Sequence, residues 1–203
     1  FAFGAQIVYG SAPGAYNPTV ASAINTTFAP AGSVKSSQLG QNLLKYSEQL
    51  NNNAVWNQDT GGSWSVDSVQ APNGTMTADR RTWPSSTANF AYGVQNTSYD
   101  ASKEYTFSVW AKVQSGTKNL TLSISDVTLA TKNSAAQLVT TSWQRFSFTL
   151  KRGQLSNTGY LGVGFLSLTA GDLIDFWGAQ LVRGLDPAAY NATKASVLNE
   201  SYV

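Results

Sequence analysis

KEYTFSVWAKV (Lys103–Val113) alternates without a break. Tyr105, Phe107, Val109, Ala111 and Val113 fall on one side, and Thr106, Ser108, Trp110 and Lys112 on the other. A period of two residues is that of a β-strand with one buried face. The same period recurs further along the chain. Lys118–Val127 sets Leu120, Leu122 and Ile124 against Asn119, Thr121, Ser123 and Ser125, and Ser142–Arg152 turns Phe146, Phe148 and Leu150 inward. Gly159–Leu168 and Leu173–Arg183 are more continuously apolar, as strands covered on both faces are. Weaker strand patterns lie at Ser63–Val69, Thr75–Trp83 and Asn89–Val94. Between these runs stand Pro72-Asn73-Gly74, Ser115-Gly116, Arg152-Gly153 and Ala170-Gly171-Asp172, all turn-forming. No stretch with helical period competes. The expected class is all-β: about eight antiparallel strands in a jelly-roll β-sandwich.

A second regularity is an internal repeat. FAFGAQIVYGSAPGAYNPTVASA (Phe1–Ala23) aligns without a gap to DFWGAQLVRGLDPAAYNATKASV (Asp175–Val197) at an offset of 174, with 12 of 23 positions identical. A repeat of this kind means one structural unit written twice. The chain is therefore expected to divide into the closing strand of a preceding repeat (1–23), a linker rich in Ala, Ser, Thr, Pro and Gly (24–41), one whole module (42–193) and a short tail (194–203). A lone strand leaves its N–H and C=O groups unpaired, so the opening strand needs a partner outside the whole module.

Composition narrows the function. Hydrophobic residues make up 42% of the 203 residues and charged ones only 12%, with Ser, Thr, Asn and Gly supplying the polarity. A net charge of +2 without any basic run argues against nucleic acid as a partner. Cysteine and histidine are both absent, which removes disulfides, thiolate and imidazole metal sites, and Ser-His-Asp or Cys-His catalysis. No apolar run is long enough to span a membrane as a helix.

Five stretches, in order, carry a family resemblance. They are NLLKYSE (Asn42–Glu48) with Trp56, APNGTMTAD (Ala71–Asp79), YTFSVWAK (Tyr105–Lys112), TSWQR (Thr141–Arg145) and FWGAQL (Phe176–Leu181). Together they resemble the carbohydrate-binding-module-like jelly rolls of tailed-phage tail fibre and tail spike proteins. The resemblance covers roughly Asn42 to Thr193. It implies a virion-associated module, commonly a homotrimer, in an appendage that contacts host surface glycan. Members of the family serve adhesive or purely structural roles. The extra Asn51-Asn52-Asn53 and the long linker depart from the pattern and leave open which virion part this is.

Sugar-binding sandwiches stack aromatic faces on the apolar C–H faces of pyranose rings, with amides, hydroxyls, carboxylates or Arg completing the contact. Strand parity singles out Trp110, which lies opposite the core face. Trp83, before Pro84 at a strand end, is a rim candidate, and Arg145 lies outward on the strand after Trp143. The competing reading buries these residues beneath a loop or a sister chain. Trp56, Trp143 and Trp177 read as packing residues, and Trp64 is undecided. Related sandwiches often hold a structural calcium ion, and Glu48, Asp172 and Asp175, near the opening and closing strands, are candidates to bind one, without any EF-hand spacing. No nucleophile elbow or phosphate loop is present.

The expected function is a non-enzymatic virion appendage module that attaches to host carbohydrate. One rival is a structural, oligomerising module without a ligand. The other is a glycan depolymerase fragment, which needs two carboxylates across a groove, such as Asp79 and Glu104.

Overall fold

Val113, Ala111, Val109, Phe107 and Tyr105 are all buried, so the alternation that identifies this strand also decides which face meets the core. The computed structural model describes residues 41–52, 54–56, 62–83, 91–125, 131–155, 159–166 and 171–195. They belong to one compact unit, Ser36–Val203. The expected orphan strand, the linker up to residue 40, residues 89–90 and the tail beyond 195 lie outside the described residues.

Every regular element among the described residues is a strand. In chain order these are β1 (Ser63–Val69), β2 (Ala78–Thr82), β3 (Ala91–Tyr99), β4 (Tyr105–Val113), β5 (Lys118–Ser125), β6 (Thr131–Asn133), β7 (Gln137–Val139), β8 (Gln144–Leu150), β9 (Gly159–Leu166) and β10 (Leu173–Arg183). The strands expected within the whole module are all found. The short β6 and β7 are additional, because three residues carry too little alternation to be read. One sheet, here sheet A, has the order β1-β2-β10-β4-β8, and the other, sheet B, the order β3-β9-β5-β6 with β7 also on β5. All pairings are antiparallel. This is a jelly-roll β-sandwich, as the periodicity predicts.

The core lies between the sheets. Sheet A contributes Phe107, Val109 and Ala111 from β4, Phe146 and Leu150 from β8, and Ile174 and Phe176 from β10. Leu120, Leu122 and Ile124 face them from β5, and Leu44, Leu50 and Trp56 join from the irregular opening segment. Two outward-reading serines of β5, Ser123 and Ser125, are nonetheless buried. Their partners on β9 are Gly164 and Gly162, so strand parity alone did not place them in solvent.

Two irregularities shape sheet A. In β10 the register shifts between Trp177 and Gln180, and Gly178 adopts φ +64°. Ile174 and Phe176 point into the core before this bulge, whereas Ala179 and Leu181 do so after it. The extra residue thus flips strand parity, sending Gln180 outward rather than into the core. In β1 the register slips between Ser65 and Val69, with Asp67 at φ +47°. There the Asp67 N–H donates to Asp79 Oδ1 at 3.0 Å.

Asp79 is 1% exposed. Burial pushes its carboxyl up to about 6 from 3.8; the Asp67 N–H and neighbouring backbone bonds oppose this, and the Asp67 charge adds to it. A folded carboxyl with a raised pKa binds its proton more tightly than the unfolded chain does. Its contribution therefore falls as pH rises from about 4 to 6, by about 2 to 3 kcal/mol in all. Asp79→Asn keeps the acceptor oxygen and removes the charge. Urea midpoints measured across that window should decline less steeply in the variant; an unchanged slope would assign the pH dependence to other groups.

Candidate functional site

The outer face of sheet A can be built row by row from the register. Arg80 on β2 opposes Asp175 on β10, which opposes Lys112 on β4. In the next row Trp177 opposes Trp110, which opposes Arg145 on β8. Below these, Gln180 pairs Ser108, which pairs Ser147, and Val182 pairs Thr106, which pairs Thr149. The upper two rows therefore mix aromatic and charged side chains, and the lower two are mainly hydroxyl and amide.

The chain covers the lower rows itself. After β10 it turns back across the face, and Gln180, Thr106, Thr149 and Arg145 hold carbonyls of this return segment. Gln180 Nε2 donates to Pro187 O (2.6 Å) and Ala189 O (3.0 Å), while its Oε1 accepts the Asn191 N–H at 2.7 Å. Thr106 Oγ1 donates to Gly184 O and Thr149 Oγ1 to Leu185 O. Arg145 donates to Ala188 O (2.6 Å), Pro187 O (3.1 Å) and Ser108 Oγ (3.0 Å). The segment ends on the opening motif, where Thr193 N–H donates to Ser47 Oγ and Asn42 Nδ2 donates to Asn191 O.

Tyr190 closes the edge of this cover. Its ring lies 4.6 Å from that of Trp177, and its hydroxyl meets Ser47 Oγ (2.9 Å) and donates to Glu48 Oε1 (3.2 Å). Burial raises its pKa well above the ordinary phenol value; the Glu48 carboxylate adds to the rise and the Ser47 bond opposes it. A Cβ at position 178 would stand 3.2 Å from the Tyr190 ring and 3.3 Å from Trp110, so only glycine lets both aromatics settle on the bulge. Gly178, Gln180, Pro187, Tyr190, Asn191 and Thr193 are all identical in the two copies of the internal repeat. The repeated residues are thus the ones that fold the return segment onto the sheet.

The upper rows stay partly open. Trp110 and Trp143 are half-buried and pack beside a small outer cluster of Val69, Ala71, Ala78 and Trp177. The turn 70–77 borders them: Trp143 Nε1 donates to Gln70 O and Trp177 Nε1 to Thr77 Oγ1. The Lys112 ammonium stands 5.0 Å from the centre of the Trp143 ring. The result is a strip with two half-buried indoles and a cation on one of them, a surface that suits a hydroxylated ring.

The predicted residues fare unequally. Trp110 is in the patch. Trp83 is not a rim residue: it is 2% exposed, with its ring 6.0 Å from Phe176 and the Arg81 guanidinium 5.5 Å away. It shares the inward parity of Asp79 and Arg81 on β2, which carries it between the sheets. Arg145 lies on the outer face, but its donors go to the return segment rather than to solvent. Burial also lowers its pKa, because desolvation disfavours the charged guanidinium. Glu48, Asp172 and Asp175 do not converge. Asp175 is held by Arg80 through two bonds (2.7 and 3.2 Å), Asp172 by Lys118 (2.6 Å) and Glu48 accepts from Tyr190. Among the described residues no three acidic side chains gather where a metal could sit, so these residues do not fit a calcium cage.

Of the expected packing tryptophans, Trp56 and Trp177 are buried, whereas Trp143 belongs to the open strip. Trp64 packs partly buried against the core. The sequence carried a signal for Trp143: it has the parity of Arg145, two residues on.

No family model and no curated protein matches the sequence. Solved structures do match in fold. The tandem CBM22-1–CBM22-2 domain of Paenibacillus barcinonensis Xyn10C superposes with a TM-score of 0.56 at 18% identity, over 83% of this chain and 50% of that one. The CBM22-1 xylan-binding domain of the same protein gives 0.53 at 17% identity, over 72% and 96%. An arabinose-bound α-L-arabinofuranosidase, MgGH51, gives 0.55 at 15% identity over 71% of this chain, which spans only 27% of that enzyme. Likeness at these identities is likeness of fold. The chain has the all-β, jelly-roll architecture of carbohydrate-binding modules.

Proposed function

We propose that this chain is a non-enzymatic module of a phage virion appendage, a tail fibre or tail spike, that attaches to host surface carbohydrate. The observation that carries the binding reading is the half-open indole strip of Trp110 and Trp143 on sheet A. Each site would bind weakly, and several copies on one particle would supply the strength. The virion reading is supported by the ordered motifs from Asn42–Glu48 to Phe176–Leu181 and by the internal repeat. The non-enzymatic reading is supported by Asp79, one of the carboxylates weighed for hydrolysis, lying in the interior rather than lining a groove.

The test is binding to host polysaccharide or a glycan array, with Trp143→Ala and Trp110→Ala compared with the unaltered chain. Stacking an indole on a sugar is worth about 1 kcal/mol or more, so each variant should bind at least about fivefold more weakly. Unchanged affinity in well-folded variants would discard this site.

A second reading is favoured by Met76, 56% exposed on the turn that borders the strip. An apolar side chain beside half-covered indoles also suits a face buried against a sister chain. If the chain is a trimer in sedimentation and Trp143→Ala dissociates it, that structural reading replaces the first.

A further inference from the structure

We infer that the glycan taken by the indole strip is acidic, one that carries carboxylates; this rests on the carbohydrate reading above. Among the described residues Arg80 pairs with Asp175 and Lys118 with Asp172, and Lys112 and Arg145 are in neither pair. Lys112 opposes Asp175 in register, yet both oxygens of Asp175 are taken by Arg80. The Lys112 ammonium rests on the Trp143 ring instead. Arg145, directly opposite Trp110, gives its bonds to two carbonyls and a hydroxyl, none of which neutralises its charge.

The other charges nearby do not cancel these two. Glu48 is tied to Tyr190 at the closed edge of the cover. Asp186 is exposed on the return segment, which lies over the lower rows. Among the described residues, the open strip is thus flanked by two cations that neither of these ion pairs neutralises. A neutral sugar laid on Trp143 would strip water from the Lys112 ammonium and give little in exchange. A carboxylate on the same ring would offset that loss with a charge-assisted hydrogen bond. Arg145 is too enclosed to grasp the ligand, but its field acts in the same direction.

The full chain should be titrated calorimetrically with polygalacturonate, alginate and polysialic acid, each beside its methyl-esterified form, at low and high salt. An acidic form should bind at least about tenfold more tightly than its ester, because a hydrogen bond to a charged group is worth about 1.5 kcal/mol or more. That preference should shrink as salt rises. Lys112→Met, which keeps the stem over Trp143, should remove the preference, and Lys112→Arg should retain most of it. Equal, salt-insensitive binding of acid and ester overturns the inference and leaves the carbohydrate reading standing. So does binding of neutral host glycans alone. Failure to bind any glycan defeats both.

Discussion

Asn42→Ala should lower stability by about 3 to 5 kcal/mol, a larger loss than an asparagine outside regular structure usually produces. Its side chain is fully buried and uses every hydrogen-bonding position it has. Nδ2 donates to Ala179 O (3.0 Å) and Asn191 O (2.9 Å), and Oδ1 accepts from the N–H groups of Leu44 (3.1 Å) and Leu181 (3.2 Å). One amide thus ties the opening segment, β10 and the return segment together. Truncation removes the side-chain partner of four backbone groups, three of them in bonds closed to water. For a domain of this size the loss corresponds to a fall in Tm of about 6 to 20 °C. Asn42→Asp is the sharper control: it has the same shape, but the oxygen replacing Nδ2 would face two carbonyls. It should be at least as damaging near neutral pH. A thermal melt showing either variant within 1 kcal/mol of the parent, at about 2–4 °C per kcal/mol, would mean that water replaces the amide.

Gly178→Ala should cost about 2 to 4 kcal/mol. Part of this is the left-handed backbone, φ +64°, which a Cβ disfavours by about 1–2 kcal/mol. The rest is crowding against Tyr190 and Trp110, which must both give way. Gly74→Ala separates the two, since Gly74 has φ +86° and nothing within 4 Å of the added carbon. Denaturant midpoints should therefore drop more for Gly178→Ala than for Gly74→Ala. The difference measures how firmly the return segment is held, and equal drops would show that the aromatics shift freely. Because Trp110 borders the bulge, Gly178→Ala should also disturb the indole strip.

Much of the fold was legible from period alone. Phe107, Val109 and Ala111 had to face a core because every second residue of their strand is apolar, and the structure buries all of them. The parity of β4 likewise put Trp110 on the outer face. Trp83 was misread because a tryptophan before a proline looks like the end of an exposed strand. Its neighbours Asp79 and Arg81, polar yet inward, hid the inward parity of β2. Arg145 was correctly set on the outer face, but its bonding partners, residues 187 and 188, are over forty positions away. Nothing local could have announced them.

Alternation along single strands, the internal repeat and the lack of His and Cys came from the sequence by itself. They determined an all-β sandwich and excluded the chemistry of imidazole and thiolate. Only the tertiary structure decided which outward aromatics meet solvent. Side-chain direction repeats every two residues and is encoded locally, whereas cover is supplied by whatever distant segment crosses the face. Here a single extra residue at Gly178 turns Gln180 outward to hold the return segment over the lower rows, and so leaves Trp110 and Trp143 partly open above it.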